Sequence, residues 1–216
     1  MSNASRPTSS RAAAVALLCA CALLAAPPAS AGPDPAGPAI PPKAGGYRVE
    51  AFQERLESFF VTRLRLSGPI VFTMDPIPGF QPAEGGGPEA FVHYATSAAR
   101  IDLRSFAPED FGTKLSAQSL TAYLDRLAAS HPPGQHFEIL EAPAVTNGPA
   151  RFRFLGKRAL TLRYAYDQEG KRTVRAENWV EAEGLIHVIS IEAPRDAFDR
   201  HFEAARASFN AAAPAG

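Results

Sequence analysis

The sequence predicts an α+β fold, an antiparallel β-sheet packed by helices, on three observations. The hydrophobic period switches between two and about 3.6 along the chain, so strands and helices share a core. Strand signals come in runs broken by long helical stretches, with no regular β-α-β alternation to call for a parallel sheet. The last three strand signals are separated only by short turn formers, Gln168-Glu169-Gly170-Lys171 and Glu183-Gly184, which makes them an antiparallel meander.

Residues 1–31 read as an export signal. Arg6 and Arg11 precede an apolar run from Ala12 to Ala26, no acidic residue occurs before Asp34, and Ala29-Ser30-Ala31 is the small-x-small pattern cut before Gly32. The run is shorter than the roughly 20 apolar residues of a membrane-spanning helix. Both cysteines, Cys19 and Cys21, lie within it, so cleavage after Ala31 leaves a chain with no thiol and no disulfide. Leu18-Cys19-Ala20-Cys21 also resembles a bacterial lipobox, in which case a lipidated Cys21 tethers the domain to a membrane. Residues 32–46 hold five prolines and four glycines and form a semi-extended linker.

The globular domain is expected over residues 47–211, with 212–216 as a disordered tail. A domain of about 165 residues buries roughly 70% of its unfolded surface and needs no covalent staple. At its start Val49, Phe52, Leu56 and Phe59 have helical spacing, whereas Phe60 to Leu66 alternates; a short helix leading into a hairpin across Ser67-Gly68 is expected. Phe91–Thr96 and Ala99–Phe106 read as a strand pair. A helix follows from about Ser116 to His131, where Leu120, Tyr123, Leu124, Leu127 and Ala128 make one face and Pro132-Pro133 ends it. Strands are expected at Phe137–Glu141, Arg151–Leu155, Leu160–Tyr166, Arg172–Val180 and Leu185–Glu192. A last helix begins near Pro194 and buries Phe198, Phe202, Ala205 and Phe209.

This pattern resembles the PsbP/DcrB-like α/β/α sandwich of small exported bacterial proteins and of the photosystem II extrinsic subunit. The features that carry it are Ser119-Leu-Thr-Ala-Tyr-Leu, Phe137-Glu-Ile-Leu, the three-strand meander, and the ending Ile189-Ser-Ile-Glu-Ala-Pro with Phe198, Phe202 and Ala207-Ser208-Phe209. The resemblance covers most of residues 69–210. It implies a binding, assembly or accessory role and brings no catalytic residue with it.

Charge excludes some partners. The 22 basic and 22 acidic residues cancel, and removing residues 1–31 leaves 20 against 22, so nothing marks a nucleic-acid binder. No phosphate loop, dinucleotide fingerprint, nucleophile elbow or H-E-x-x-H is present. His131, His136 and Glu138 are zinc-competent residue types, but two histidines in a loop do not make a site, and neither a metal nor another cofactor is expected. His187 and His93 read as core or sheet residues, and His201 as a partly exposed one.

Partner contact is expected at Trp179, Arg163, Arg175 and the Gly85-Gly86-Gly87 loop. Alternation places Trp179 with Arg175, Glu177 and Glu181, away from Val174 and Val180: either a helix covers it, or it is an exposed hot spot. The leading expectation is a non-enzymatic, exported accessory or assembly protein, periplasmic or secreted, that binds a cell-envelope protein. Membrane contact is expected only if Cys21 carries lipid. A second reading is a carrier of a small ligand or lipid, with Tyr164, Tyr166, Phe152 and Phe154 lining one cleft. An enzyme requires His187 or His93 to meet a carboxylate.

Overall fold

The computed structural model describes residues 40, 44–83, 89–93, 99–145 and 151–215. Cys21 and the Gly85-Gly86-Gly87 loop lie outside the described residues. Strands β1 (Arg48–Leu56), β2 (Phe59–Ser67), β3 (Val71–Met74), β4 (Phe80–Pro82), β5 (Phe91–His93) and β6 (Arg100–Phe106) come first. Helix α1 (Ala117–Ser130) and strand β7 (Glu138–Val145) follow, then a small hairpin of β8 (Arg153–Phe154) and β9 (Lys157–Arg158). The chain continues through β10 (Leu160–Gln168), β11 (Lys171–Ala182) and β12 (Leu185–Pro194), and ends with α2 (Phe198–Asn210) and β13 (Ala213–Pro214). A seven-stranded antiparallel sheet has the order β4-β5-β6-β12-β11-β10-β7, and a four-stranded one the order β1-β2-β3-β13. The α+β fold and the antiparallel meander are as the sequence predicts.

Two cores lie on opposite faces of the large sheet. On one face, Leu120, Tyr123 and Leu124 of α1 pack with Phe106, Phe111, Leu162, Trp179 and Val188. On the other, Ile101, Leu103, Val180, Ile189 and Ile191 meet Phe198, Phe202 and Phe209 of α2 together with Leu66, Phe72 and Met74 of the small sheet. Local chemistry fixes the helices and turns. Ser116 and Ser119 form a reciprocal capping box at the start of α1. Glu169-Gly170 and Glu183-Gly184 carry φ of 49° and 75°, and 51° and 74°, the paired positive values of a two-residue hairpin turn.

Four expectations change. The helix expected after Val49 is strand β1, paired with β2 from Arg48↔Ser67 to Leu56↔Phe59 around a Glu57-Ser58 turn. The hairpin across Ser67-Gly68 is present and joins β2 to β3; a Cβ on Gly68 would lie 2.6 Å from the Gly46 carbonyl oxygen, so that turn requires glycine. The ending is not a free tail over Ala213–Pro214, which pairs with Phe72 and Thr73 of β3 while Ala212 is buried. Pro194 closes β12 opposite Thr173 rather than opening the last helix, as a residue with no N–H can at a strand end. Arg153–Phe154 belongs to the separate hairpin and not to the large sheet.

Candidate interaction site

The β1–β2 hairpin outgrows its sheet. Because β3 reaches β2 only from Leu64 to Ser67, among the described residues the stretches Phe52–Leu56 and Phe59–Arg63 have only each other as strand partners. At roughly 3.3 Å per residue this makes an arm about 17 Å long. A lone two-stranded ribbon in water is marginal, so its side chains must justify it. Arg63 holds the base, 3.0 Å from Asp75 and 3.6 Å from Glu54, and Gln53 donates to Thr62 across the ribbon at 3.0 Å.

Apolar residues crowd the distal end. Phe60 is 66% exposed, Phe59 55%, Leu56 39% and Phe52 37%. Register puts Leu56 and Phe59 on one face of the ribbon and Phe60 on the other, so greasy side chains flank the turn on both sides. Exposed apolar residues grouped in this way mark an interaction site, whereas scattered ones do not. At the base of the arm the same outer face forms a groove of about 530 Å³, lined by Glu50, Phe52, Glu54, Arg65, Thr73 and Pro214.

The residues singled out in the sequence lie elsewhere and apart. Trp179 is fully buried, its ring centroid 5.2 Å from Tyr123, 5.3 Å from Phe111 and 6.3 Å from Phe106. Of the two alternatives, the covered one is present: α1 and the turn around Phe111 roof the face that alternation assigned to it, which corrects the expectation of an exposed contact. Arg163 and Arg175 point to opposite faces of the large sheet. Arg163 stacks 4.2 Å above the Phe202 ring on the α2 side and pairs with Glu141 at 3.2 Å. Arg175 sits on the α1 side among three carboxylates, 3.3 Å from Asp102, 3.3 Å from Glu177 and 3.0 Å from Glu192.

Around Arg175 the acceptors are shared with precision. Glu177 receives the Tyr164 hydroxyl at 2.9 Å, the Tyr123 hydroxyl at 3.3 Å and the Trp179 indole N–H at 3.2 Å, while Glu192 receives the Tyr166 hydroxyl at 2.7 Å. Burial, opposed by Arg175 and Arg104, raises the Asp102 carboxyl above the ordinary aspartate range. The aromatic cleft expected of a carrier does not form. Tyr164 packs on the α1 face, and Phe152 and Phe154 belong to the core on the other side.

The histidines are held by structural contacts. His187 is fully buried; its Nδ1 lies 2.7 Å from Ser105 Oγ and its Nε2 3.1 Å from the Ala182 carbonyl oxygen. A carbonyl only accepts, so the ring proton is on Nε2, Nδ1 accepts from Ser105, and Ser105 accepts from the Tyr47 hydroxyl at 2.8 Å. The chain links the two sheets and is sealed from solvent at every member. His131 lies over Phe137 with centroids 4.5 Å apart, His136 meets Asp167 at 2.7 Å, and Glu138 is paired with Arg172, so these three do not converge. His201 is buried edge-on to Phe80 rather than partly exposed. The side chain of His93 lies outside the described residues.

Burial pushes the His187 ring down from 6.5 to about 4, against the Ala182 hydrogen bond. Between those values the unfolded chain holds a proton that the folded one lacks, so stability rises with pH there. The ring's contribution is present above pH 6.5 and is lost as pH falls towards 4, a change of about 3 kcal/mol at 1.36 kcal/mol per unit. Urea unfolding of His187→Gln between pH 7.5 and 4.5 is expected to show a shallower pH slope than the wild type. An unchanged slope would assign the acid sensitivity to other groups.

No protein-family model and no curated protein matches the chain. Solved structures similar to it include two of low identity. One is PA94 of Pseudomonas aeruginosa, a protein of unknown function described as a putative regulator; it is 14% identical, covers 71% of this chain and 90% of its own, and has a TM-score of 0.38. The other is LpqN, involved in cell envelope biogenesis of Mycobacterium tuberculosis, 13% identical over 78% of this chain and 92% of its own, with a TM-score of 0.43. Among the described residues no helix is long and apolar enough to cross a membrane.

Proposed function

We propose that the chain is an exported, non-enzymatic accessory or assembly protein of the bacterial cell envelope that works by docking its β1–β2 arm into another protein. The observation that carries the reading is the arm itself, with Leu56, Phe59 and Phe60 exposed around a turn that no other strand among the described residues supports. The signal-like residues 1–31 and the Pro/Gly-rich linker supply the address, in periplasmic or secreted form, or tethered through Cys21. The PsbP/DcrB-like resemblance belongs to this proposal. Its support is the closing segment, where Phe198, Phe202 and Phe209 bury on the core after Pro194. The non-enzymatic reading is supported by the Ser105–His187 pair, which is sealed and committed to backbone and to Tyr47.

The test compares the tagged full-length chain with its Phe59→Ser/Phe60→Ser variant after mild crosslinking in its own envelope. Both side chains are more than half exposed, so the variant is expected to keep its stability within about 0.5 kcal/mol. The wild type is expected to capture a protein that the variant does not, and mass spectrometry of the same sample reads the mature N-terminus. Identical captures from both would remove the arm from the function.

A further inference from the structure

We infer that the arm of one copy docks into a cleft beside β7 of a second copy, so that the protein assembles head to tail. The inference rests on the reading of the arm as a docking device and names its partner. Among the described residues the exposed large apolar side chains, apart from Val71 opposite Ser67 at the end of β2 away from the arm, fall into two groups. One is the arm; the other is Ile139, Leu140 and Val145 of β7. The first group protrudes. From the second, Leu140 lines a cleft of about 270 Å³ together with Val174 and Phe198.

Shape and charge both match. With apolar groups on the two faces of its tip, the arm is not covered by a flat surface and needs a cavity that closes around it. A cavity of about 150 Å³ holds a benzene ring, so the cleft admits the Phe60 ring with room for a neighbour. The tip carries Arg55 and Glu57, and the cleft mouth carries Arg195 and Asp199; none of the four makes an ion pair among the described residues. One cation and one anion on each side allow Glu57 to meet Arg195 and Arg55 to meet Asp199. Arg163 also lines the cleft but is engaged by Glu141 and the Phe202 ring, and so acts as a fixed wall.

Backbone supports the same pairing, since among the described residues β1 and β7 are outer strands of their sheets and each has one side without a strand neighbour. Pro143 within β7 is the mark of an edge strand. Knob and cleft are different surfaces of one chain, so the contact is heterologous and propagates into a ring or an open filament instead of stopping at a symmetric dimer. A contact of this small size belongs to the weak, transient class.

Sedimentation of the purified full-length mature protein tests this directly. The wild type is expected to gain mass with concentration beyond a dimer, and Phe60→Ser (arm) and Leu140→Glu (cleft) are each expected to stay monomeric. Mixed, these two variants retain one intact cleft and one intact arm, and are expected to form a two-chain species that grows no further. Glu57→Arg is expected to weaken association about tenfold, with Arg195→Glu on the other copy restoring it. A wild type that stays monomeric to its solubility limit, or a mixture that does not dimerise while both variants give the wild-type circular dichroism spectrum, overturns the inference. If envelope capture still depends on Phe59 and Phe60 but brings down a different protein, self-assembly fails and the docking arm stands; if capture is independent of the arm, both fail.

Discussion

Trp179→Ala is expected to lower unfolding stability by about 4 kcal/mol, towards the upper end of large-to-small core substitutions. The indole has no exposed surface and packs against the rings of Phe106, Phe111 and Tyr123, so its removal opens a large cavity between them. The loss has a polar part as well. Trp179 Nε1 donates to Glu177, and a buried carboxylate deprived of a donor retains the cost of its desolvation. Trp179→Phe keeps most of the packing and gives up the donor, so it is expected to fall between the two. Urea unfolding followed by far-UV circular dichroism at neutral pH measures both. A wild-type midpoint for Trp179→Ala would mean that the roof formed by α1 and Phe111 is open in solution. With total stabilities of ordinary domains at about 5–15 kcal/mol, the alanine variant keeps little reserve, and its loss of any partner would report unfolding rather than a removed contact.

The meander and both helices were legible in the sequence because their signals are local. Gly170 and Gly184 sit where hairpin turns need them, and Leu120, Tyr123 and Leu124 repeat at helical spacing before a double proline. The arm was not legible, because Val49, Phe52, Leu56 and Phe59 imitate a helical stripe. In the structure Val49 packs towards the core, while Phe52, Leu56 and Phe59 share the outer face of a ribbon. The available counter-signal was Glu57-Ser58 standing between two stretches of equal length, a two-residue turn without the glycine or asparagine that usually announces one. Glu57 takes φ of 47° without glycine's freedom. For Trp179 both alternatives stay open at the level of sequence, since alternation assigns a face and the cover for that face comes from residues 50 to 70 positions away. The carrier reading failed for a related reason: Phe152 and Phe154 precede β10 in the chain yet fold to the opposite side of the sheet from Tyr164.

Arg175→Met is the second large effect, with about 3–5 kcal/mol expected at neutral pH, the range found when one member of a buried charge group is removed. The guanidinium side chain is 16% exposed and touches Asp102, Glu177 and Glu192, whose own side chains are 7%, 2% and 9% exposed. Removing the cation leaves three carboxylates in low dielectric with hydroxyl and indole donors, and with Arg104 acting on Asp102 as the remaining counter-charge. Asp102, already raised by burial, loses the larger of the two cations that oppose the rise, so its proton affinity in the folded variant exceeds that in the unfolded chain by still more. For such raised groups stability is present at low pH and is lost as pH rises through the folded values. The destabilisation relative to wild type is therefore expected to be smallest near pH 4 and to grow towards pH 8, opposite in sign to the His187 effect, so the two can be separated in one pH series. Adding Asp102→Asn and Glu192→Gln to Arg175→Met removes two of the stranded charges and is expected to recover much of the loss at pH 8. A penalty for Arg175→Met that is equal at pH 5 and pH 8 would show that the side chain acts through packing alone. Recovery by the neutral partners, without recovery by acid, would instead place the cost in the geometry of the hydrogen bonds to Glu177.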